Sequence, residues 1–298
     1  MPKIKYIEKR FRKDSLAKIA AANSIIEEYQ EQGFDLTLRQ LYYQFVSRDW
    51  IANTEKSYNS LGALISDARL AGLIDWDAIQ DRTRNLRSNS HWDSPGEIVE
   101  ACASQYRIDR WKGQPYRPEV WIEKDALIGV IQDVCVSLDV PYFSCRGYTS
   151  QSEMWRAGRR LKRYRQRGQL PVVFHLGDHD PSGIDMTRDI QERLSLFAQC
   201  NIRVERIALN MGQIEQYQPP PNPAKVTDSR FESYRLEYGD ESWELDALEP
   251  SVMVELIRAS VGSVIDGRLW ESAQKEEENE KQELQLVSDN WEQVVKSL

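Results

Sequence analysis

The feature that most constrains this chain is a change of rhythm after residue 118, where short apolar runs begin to alternate with amphipathic helical stretches. EVWIE (119–123), VPYFSC (140–145), PVVFHLG (171–177) and NIRVERIAL (201–209) read as strands, and 125–138, 151–167 and 184–199 between them read as helices. Adjacent parallel strands need a crossover of about a dozen residues or more, which a helix supplies. The alternation therefore predicts an α/β unit with a doubly wound, mostly parallel sheet. GQPYRP (113–118) reads as the linker into this unit, and PPPNP (219–223) ends the pattern. An acidic region follows, then a Glu- and Gln-rich helix over about 270–298, expected to be a solvated or partner-facing surface.

Ahead of the linker the pattern is helical. Residues 14–32 place Leu16, Ile19, Ala20, Asn23 and Ile26 on one face, and Gly33 ends the run. Thr37 is a plausible N-cap for LRQLYYQFVSR. Residues 57–71 carry Leu61, Leu64, Ile65 and Ala68 at helical spacing and close on Gly72, and LIDWDAI (73–79) reads as a strand-like wing. Three short helices and a small wing describe a winged-helix or helix-turn-helix shape, which inserts one helix into DNA. A polar stretch (80–96) and one more helix (about 96–106) complete this half. The expected division is 1–112 for an N-terminal arm and winged-helix domain, 113–250 for the α/β domain and 251–298 for an acidic helical tail.

The 298 residues suit about two domains. With 41% hydrophobic and 29% charged residues, a buried core is expected rather than global disorder. The net charge of −8 argues against a nucleic-acid binder until it is placed along the chain. Residues 226–298 hold 18 acidic against 7 basic side chains, so residues 1–225 carry +3. Residues 1–20 have 7 basic against 2 acidic, and 146–170 have 8 against 1. No apolar run reaches the roughly 18 residues of a membrane span. MPKIKYIEKRFRK is basic but has no apolar stretch behind it, so no secretory signal is expected. Cys102, Cys135, Cys145 and Cys200 are widely spaced with no CxxC pair, which makes a zinc site or disulfide framework unexpected and a cytoplasmic setting the expectation.

In open α/β sheets, functional residues gather beyond the carboxyl ends of the strands. Glu123 ends the first strand in VWIEKD, and Asp178 and Asp180 follow the third in VVFHLGDHDPSG. Three carboxylates brought together repel unless a cation holds them, and Mg²⁺, with Mn²⁺ as a substitute, suits such hard oxygen ligands. The DPSG turn leads into a helix whose N-terminus favours an anion. Lys124 and Arg146 lie near these acids in sequence and are candidates to neutralise phosphate. The 151–167 helix carries Arg156, Arg159, Arg160 and Arg163 among basic residues on nearly all faces, leaving Met154, Ala157, Leu161 and Tyr164 for packing. It is expected to track a phosphate backbone. His175 and His179 form an HxxxH pair, but they bracket a strand end and its turn, so zinc is not the favoured reading.

A Glu closing one strand, followed by DxD with Pro and Gly closing another, resembles the Toprim domain of topoisomerases, primases and related nucleases. The DHDPSG form (178–183) is most similar to the topoisomerase VI A subunit and Spo11 family, and WELDALEP (243–250) resembles a late motif there. The resemblance spans about residues 24–250 in order and is specific only in these short motifs. It implies Mg²⁺ on Glu123, Asp178 and Asp180, with Glu244 or Asp246 assisting. It also implies a nucleophilic tyrosine in an Arg-x-x-Tyr-Tyr stretch of the winged-helix domain, here Arg39-Gln-Leu-Tyr42-Tyr43. Leu38, Leu41, Tyr42 and Phe45 form one apolar stripe, so Tyr42 is expected in the core. Tyr43 lies off that stripe with Arg39 one turn before it, where the guanidinium is expected to favour phenolate and hold a phosphate.

Tyr43 is thus the expected nucleophile. The implied activity is cleavage of double-stranded DNA through a 5′-phosphotyrosyl link, by a homodimer in which one subunit's tyrosine meets the other's Toprim site. The family supplies its ATPase as a separate B subunit, and no such module is legible in this chain. Two other readings are a Toprim nuclease using water and a non-catalytic DNA-binding protein.

Overall fold

The computed structural model describes residues 3–79 and 89–297, so part of the polar stretch expected over 80–96 lies outside the described residues. The N-terminal part holds α1 (Lys13–Glu31), α2 (Leu38–Ser47) and α3 (Glu55–Leu70). Thr37 caps α2 as expected: its hydroxyl accepts from the Gln40 N–H while the Gln40 side chain accepts from the Thr37 N–H. Ile19, Ile25, Ile26 and Tyr29 of α1 pack with Leu41 and Phe45 of α2 and Leu61 and Ile65 of α3.

The wing expected over 73–79 is not a strand. Among the described residues this region makes single bridges only, Leu36 to Ile79 and Lys5 to Ala71. Asp75 accepts from the Asp77 N–H, turning the chain, and Ile74, Ala78 and Ile79 drop into the helical core instead of pairing.

The second part is α/β, as the alternation predicts. Its elements run β1 (Tyr116–Ile122), α5 (Ile128–Ser137), β2 (Tyr142–Ser144), α6 (Gln151–Gln166), β3 (Leu170–Leu176), α7 (Pro181–Ala198) and β4 (Arg203–Ala208). All pairings are parallel, in the order β2-β1-β3-β4. β1 begins at Tyr116, inside the stretch expected to be linker, because Tyr116 to Pro118 already pair with Leu170 to Val172.

Both sheet faces are covered, which is why the central strands read as unbroken apolar runs. Val120, Ile122, Val172 and Phe174 face one cluster with α5, and Trp121 and Val173 face the other with α6 and α7. From β1 the chain crosses to β2 on one side, and from β3 it crosses to β4 on the other. The β1–β3 boundary is therefore the switch point of the sheet, where a crevice opens beyond the carboxyl ends.

After β4 come α8 (Met211–Tyr217) and a two-stranded ribbon, β5 (Asn222–Pro223) with β6 (Glu241–Ser242), which encloses α9 (Phe231–Tyr238). A 3-10 turn (Leu245–Ala247) leads into α10 (Pro250–Gly262), α11 (Gly267–Asp289) and α12 (Trp291–Ser297). α10 covers the α5 side of the sheet, and α11 runs along α4 (Pro95–Gln105). Among the described residues no helix is long and apolar enough to cross a membrane.

The acidic α11 is anchored at one buried point. Glu277, 2% exposed, accepts from Arg110 at 2.7 Å, from the Ile108 N–H at 3.1 Å and from Lys281 at 3.0 Å. Truncating one partner of such a buried pair strands the other. Glu277→Ala should lower stability by about 2–3 kcal/mol in thermal or urea melts. Its exposed neighbour, as Glu276→Ala, should shift it by less than about 0.5 kcal/mol.

Candidate active site

The β1–β3 crevice collects the three acids singled out by the motifs. The Glu123 N–H donates to Leu176 O at 2.8 Å, extending the ladder one step past β1. Glu123 Oε2 then accepts from the Asp178 N–H at 2.8 Å. Asp178 Oδ1 accepts from the Leu245 N–H at 2.7 Å, and Asp180 Oδ1 caps α7 through the Gly183 N–H at 2.6 Å. Each carboxylate thus spends one oxygen on fixing the loop. The second oxygen of each makes no hydrogen bond among the described residues.

The glycines of the motif serve close approach. A Cβ on Gly183 would lie 2.1 Å from Asp178 O, and one on Gly177 would lie 3.0 Å from Glu123 Oε2.

The late segment reaches this loop through a bridge. The His179 N–H donates to Trp243 O at 2.8 Å and the Trp243 N–H returns to His179 O at 2.9 Å. That places Glu244 and Asp246 opposite Asp178. Lys124 Nζ lies between them, 3.0 Å from Asp178 Oδ1, 2.9 Å from Glu244 Oε2 and 2.9 Å from Asp246 Oδ2. Arg39 reaches the same pair from α2, contacting Glu244 and approaching Asp246 to 3.3 Å. These side chains line an open cleft of about 750 Å³ together with Arg146, Asn222 and Lys225.

The electrostatics divide the cleft. Burial, then the Asp178 charge, push Glu123 up to about 7, against the Asp178 N–H and Lys124. Burial also raises Asp178. Glu244 falls to about 2 because Lys124 and Arg39 outweigh its burial. Glu244 is paired with both Lys124 and Arg39, whereas Asp178 has Lys124 alone and Glu123 and Asp180 make no ion pair among the described residues. An all-oxygen donor set of this kind fits Mg²⁺. Asp246 lines the same cleft, and its Oδ1 is buried without a hydrogen-bond partner among the described residues. Among the described residues no group of three or more His, Cys, Asp or Glu side chains stands close enough together to hold a metal ion.

Arg206, on β4, was not singled out from the sequence. It lies behind the loop, donating to Gly177 O and Gly183 O at 2.9 Å, to Thr187 Oγ1 at 3.0 Å, to Leu209 O at 3.2 Å and to Asp178 O. Burial lowers it to about 10. The only sequence signal was a basic residue near the carboxyl end of a strand that leads to the crevice.

The two tyrosines depart from expectation. Tyr42 is buried as expected, but Tyr43 is buried too, at 3% exposure, in the same apolar cluster as Leu41 and Phe45, against which Ala247 of the 3-10 turn also packs. Its hydroxyl accepts from Asn222 Nδ2 at 3.5 Å, and the Arg39 guanidinium stands 5.8 Å from its ring centre. Burial, then Glu244, raise the phenol to about 12, overcoming Asn222 and Arg39, so the expected bias towards phenolate is reversed.

The basic residues also separate. Arg160 forks onto buried Glu119 at 2.8 and 2.9 Å, which commits its guanidinium to the sheet rather than to a phosphate row. Arg156 pairs with Glu153, Arg159 and Arg163 are exposed, and Arg146 stands at the cleft, 2.9 Å from Asp125. His175 Nδ1 bonds Thr187 at 2.9 Å and His179 Nδ1 bonds Tyr234 at 2.8 Å, so the two rings serve different partners.

Comparison with family models, with curated proteins and with solved structures found no match.

The Gly183 contact predicts that Gly183→Ala costs about 1–3 kcal/mol in a thermal melt, whereas Gly212→Ala, with open space around the added methyl, is neutral or slightly stabilising. The pH behaviour follows from Glu123. A carboxyl whose folded value is raised binds its proton more tightly in the fold, so its contribution to metal-free stability falls as pH rises from about 4.5 to about 7. Glu123→Gln should remove that slope, gaining stability relative to wild type at pH 8 but not at pH 5. Parallel pH profiles of the melting temperature would contradict this.

Proposed function

We propose that this chain is a Mg²⁺-dependent DNA-cleaving enzyme related in design to the topoisomerase VI A subunit and Spo11 family, built from a three-helix N-terminal part, without the expected wing strand among its described residues, and a Toprim-like α/β part. The observation that carries the reading is the junction of the two motifs in one cleft. Arg39 of the Arg-x-x-Tyr-Tyr helix pairs with Glu244 and Asp246, and Tyr43 touches Asn222, on the walls that also hold Glu123, Asp178 and Asp180. The Arg39–Glu244 and Tyr43–Asn222 contacts join residues 205 and 179 positions apart in sequence, so the fold rather than local chain geometry brings the two motifs to one cleft.

In this mechanism Tyr43 Oη forms a bond to phosphorus as the P–O3′ bond breaks, leaving a 5′-phosphotyrosyl end and a free 3′ hydroxyl. Glu123, Asp178 and Asp180 would hold Mg²⁺, which supplies charge stabilisation for the phosphate and the leaving oxygen. Arg39 and Lys124 grip the phosphate. The Tyr43 phenol, pushed up to about 12 in the free protein, passes its proton to solvent water on engagement, and the leaving 3′ oxygen takes one back from water; displacing Glu244 from its side removes one of the causes that raise the phenol. Arg146 and the outward Arg156, Arg159 and Arg163 supply contacts to duplex DNA. The working form is a homodimer, since two cuts on a duplex suit a two-fold axis, and an ATPase subunit would be a separate partner.

A second reading, a Toprim nuclease that activates water, is favoured by the burial and raised value of Tyr43. Supercoiled plasmid incubated with protein and Mg²⁺ or Mn²⁺, stopped with detergent and split with and without protease, separates the two. Protein-linked breaks that vanish in Tyr43→Phe, with at least about a hundredfold loss of cleavage, are expected. Free ends that need Glu123 but not Tyr43 would establish the nuclease. Mixing Tyr43→Phe with Glu123→Gln chains should restore cleavage of one strand if the tyrosine works on the partner subunit's carboxylates.

A further inference from the structure

We infer that the cleft contains a phosphodiester seat between Arg39 and Lys124, and that Glu244 fills it in the DNA-free protein as an internal stand-in for the phosphate. This rests on the DNA-cleaving reading and adds to it where the phosphate sits and what it must displace.

A single oxygen, Glu244 Oε2, meets both Arg39 Nη2 and, at 2.9 Å, Lys124 Nζ. One acceptor oxygen shared by a guanidinium and an ammonium is the arrangement that a non-bridging phosphate oxygen adopts. The cations come from separate elements, α2 and the end of β1, and would repel without an anion between them. Asp246 Oδ2 contacts the same two groups, at 3.3 Å and 2.9 Å.

The two carboxylates are not equivalent. The Asp246 side chain is 2% exposed and forms the floor of the seat, whereas that of Glu244 is 25% exposed and faces Arg39, itself 44% exposed. The Arg39 arm of this arrangement is therefore the one that an incoming anion can reach from solvent. Trp243 holds the backbone beside it through the His179 bridge, so Glu244 can leave by side-chain rotation alone. A phosphate arriving in its place keeps both cations paired, and the guanidinium can then bind it with two parallel bonds. The DNA-free cleft is thereby self-screened, and binding is an exchange of one anion for another.

The test is the affinity for a short fluorescent duplex, measured by anisotropy in EDTA so that no metal contributes. Glu244→Gln should tighten binding by about fivefold at low salt, less as salt rises. The gain should disappear in the Arg39→Ala background. Glu241→Gln, an exposed charge three residues before Glu244 that does not line the cleft, should gain much less. Glu244→Ala, checked by its melting curve, replaces Glu244→Gln if that variant does not fold. Unchanged or weaker binding by the Glu244 variants, or an equal gain with Glu241→Gln, would overturn the seat while leaving DNA binding intact. No salt-sensitive DNA binding by any of the proteins would overturn both this inference and the reading beneath it.

Discussion

The Lys124 ammonium is the interaction on which the site depends. It holds the end of β1 against Asp178 from the β3 loop and against Glu244 and Asp246 from the late segment. A buried cation is tolerated only with its partners in place, and acids gathered this closely are tolerated only with a cation among them. The same constraint reaches the N-terminal helices, since Arg39 repeats the contact from α2. Gln44 adds a hydrogen bond to Glu249 at 2.8 Å, and Tyr29 donates to the same carboxylate. These ion pairs and hydrogen bonds, together with Ala247 packed on the helical core, tie α2 to the crevice.

Sheet topology explains why the crevice is there to be filled. Reversal of the crossover direction between β1 and β3 parts the helices on the two faces, and the loops after these two strands face each other across the gap. Glu123 and the Asp178–Asp180 loop sit on those two ends. Arg206, anchored from β4, turns the backbone carbonyls of the loop towards itself. That leaves the carboxylates as the groups that face the cleft, with Glu123 pushed up to about 7 and Glu244 drawn down to about 2 on opposite walls.

Much of this was legible from local pattern. The four parallel strands followed from the apolar alternation, the α2 cap from Thr37 and Gln40, and the three acids from strand-end motifs. What escaped depends on distant contacts. Tyr43 looked free because helical periodicity marks only the apolar stripe, whereas Asn222 and the Leu245–Ala247 turn reach α2 from about 180 to 200 residues later. Arg160 looked like one of a basic row because nothing local marks Glu119 as its buried partner. The wing over 73–79 failed because apolar spacing in so short a run suits a strand and a core-packed turn equally.

The proposed divalent-metal centre of Glu123, Asp178 and Asp180 is what the DNA-cleaving reading depends on most. Anomalous scattering from crystals grown with Mn²⁺ tests it most directly. The account predicts a peak at about 2.0–2.3 Å from carboxylate oxygens of at least two of these three residues, with Glu244 still on Lys124. No peak at saturating Mn²⁺, or a peak held by Glu244 and Asp246 alone, would contradict it.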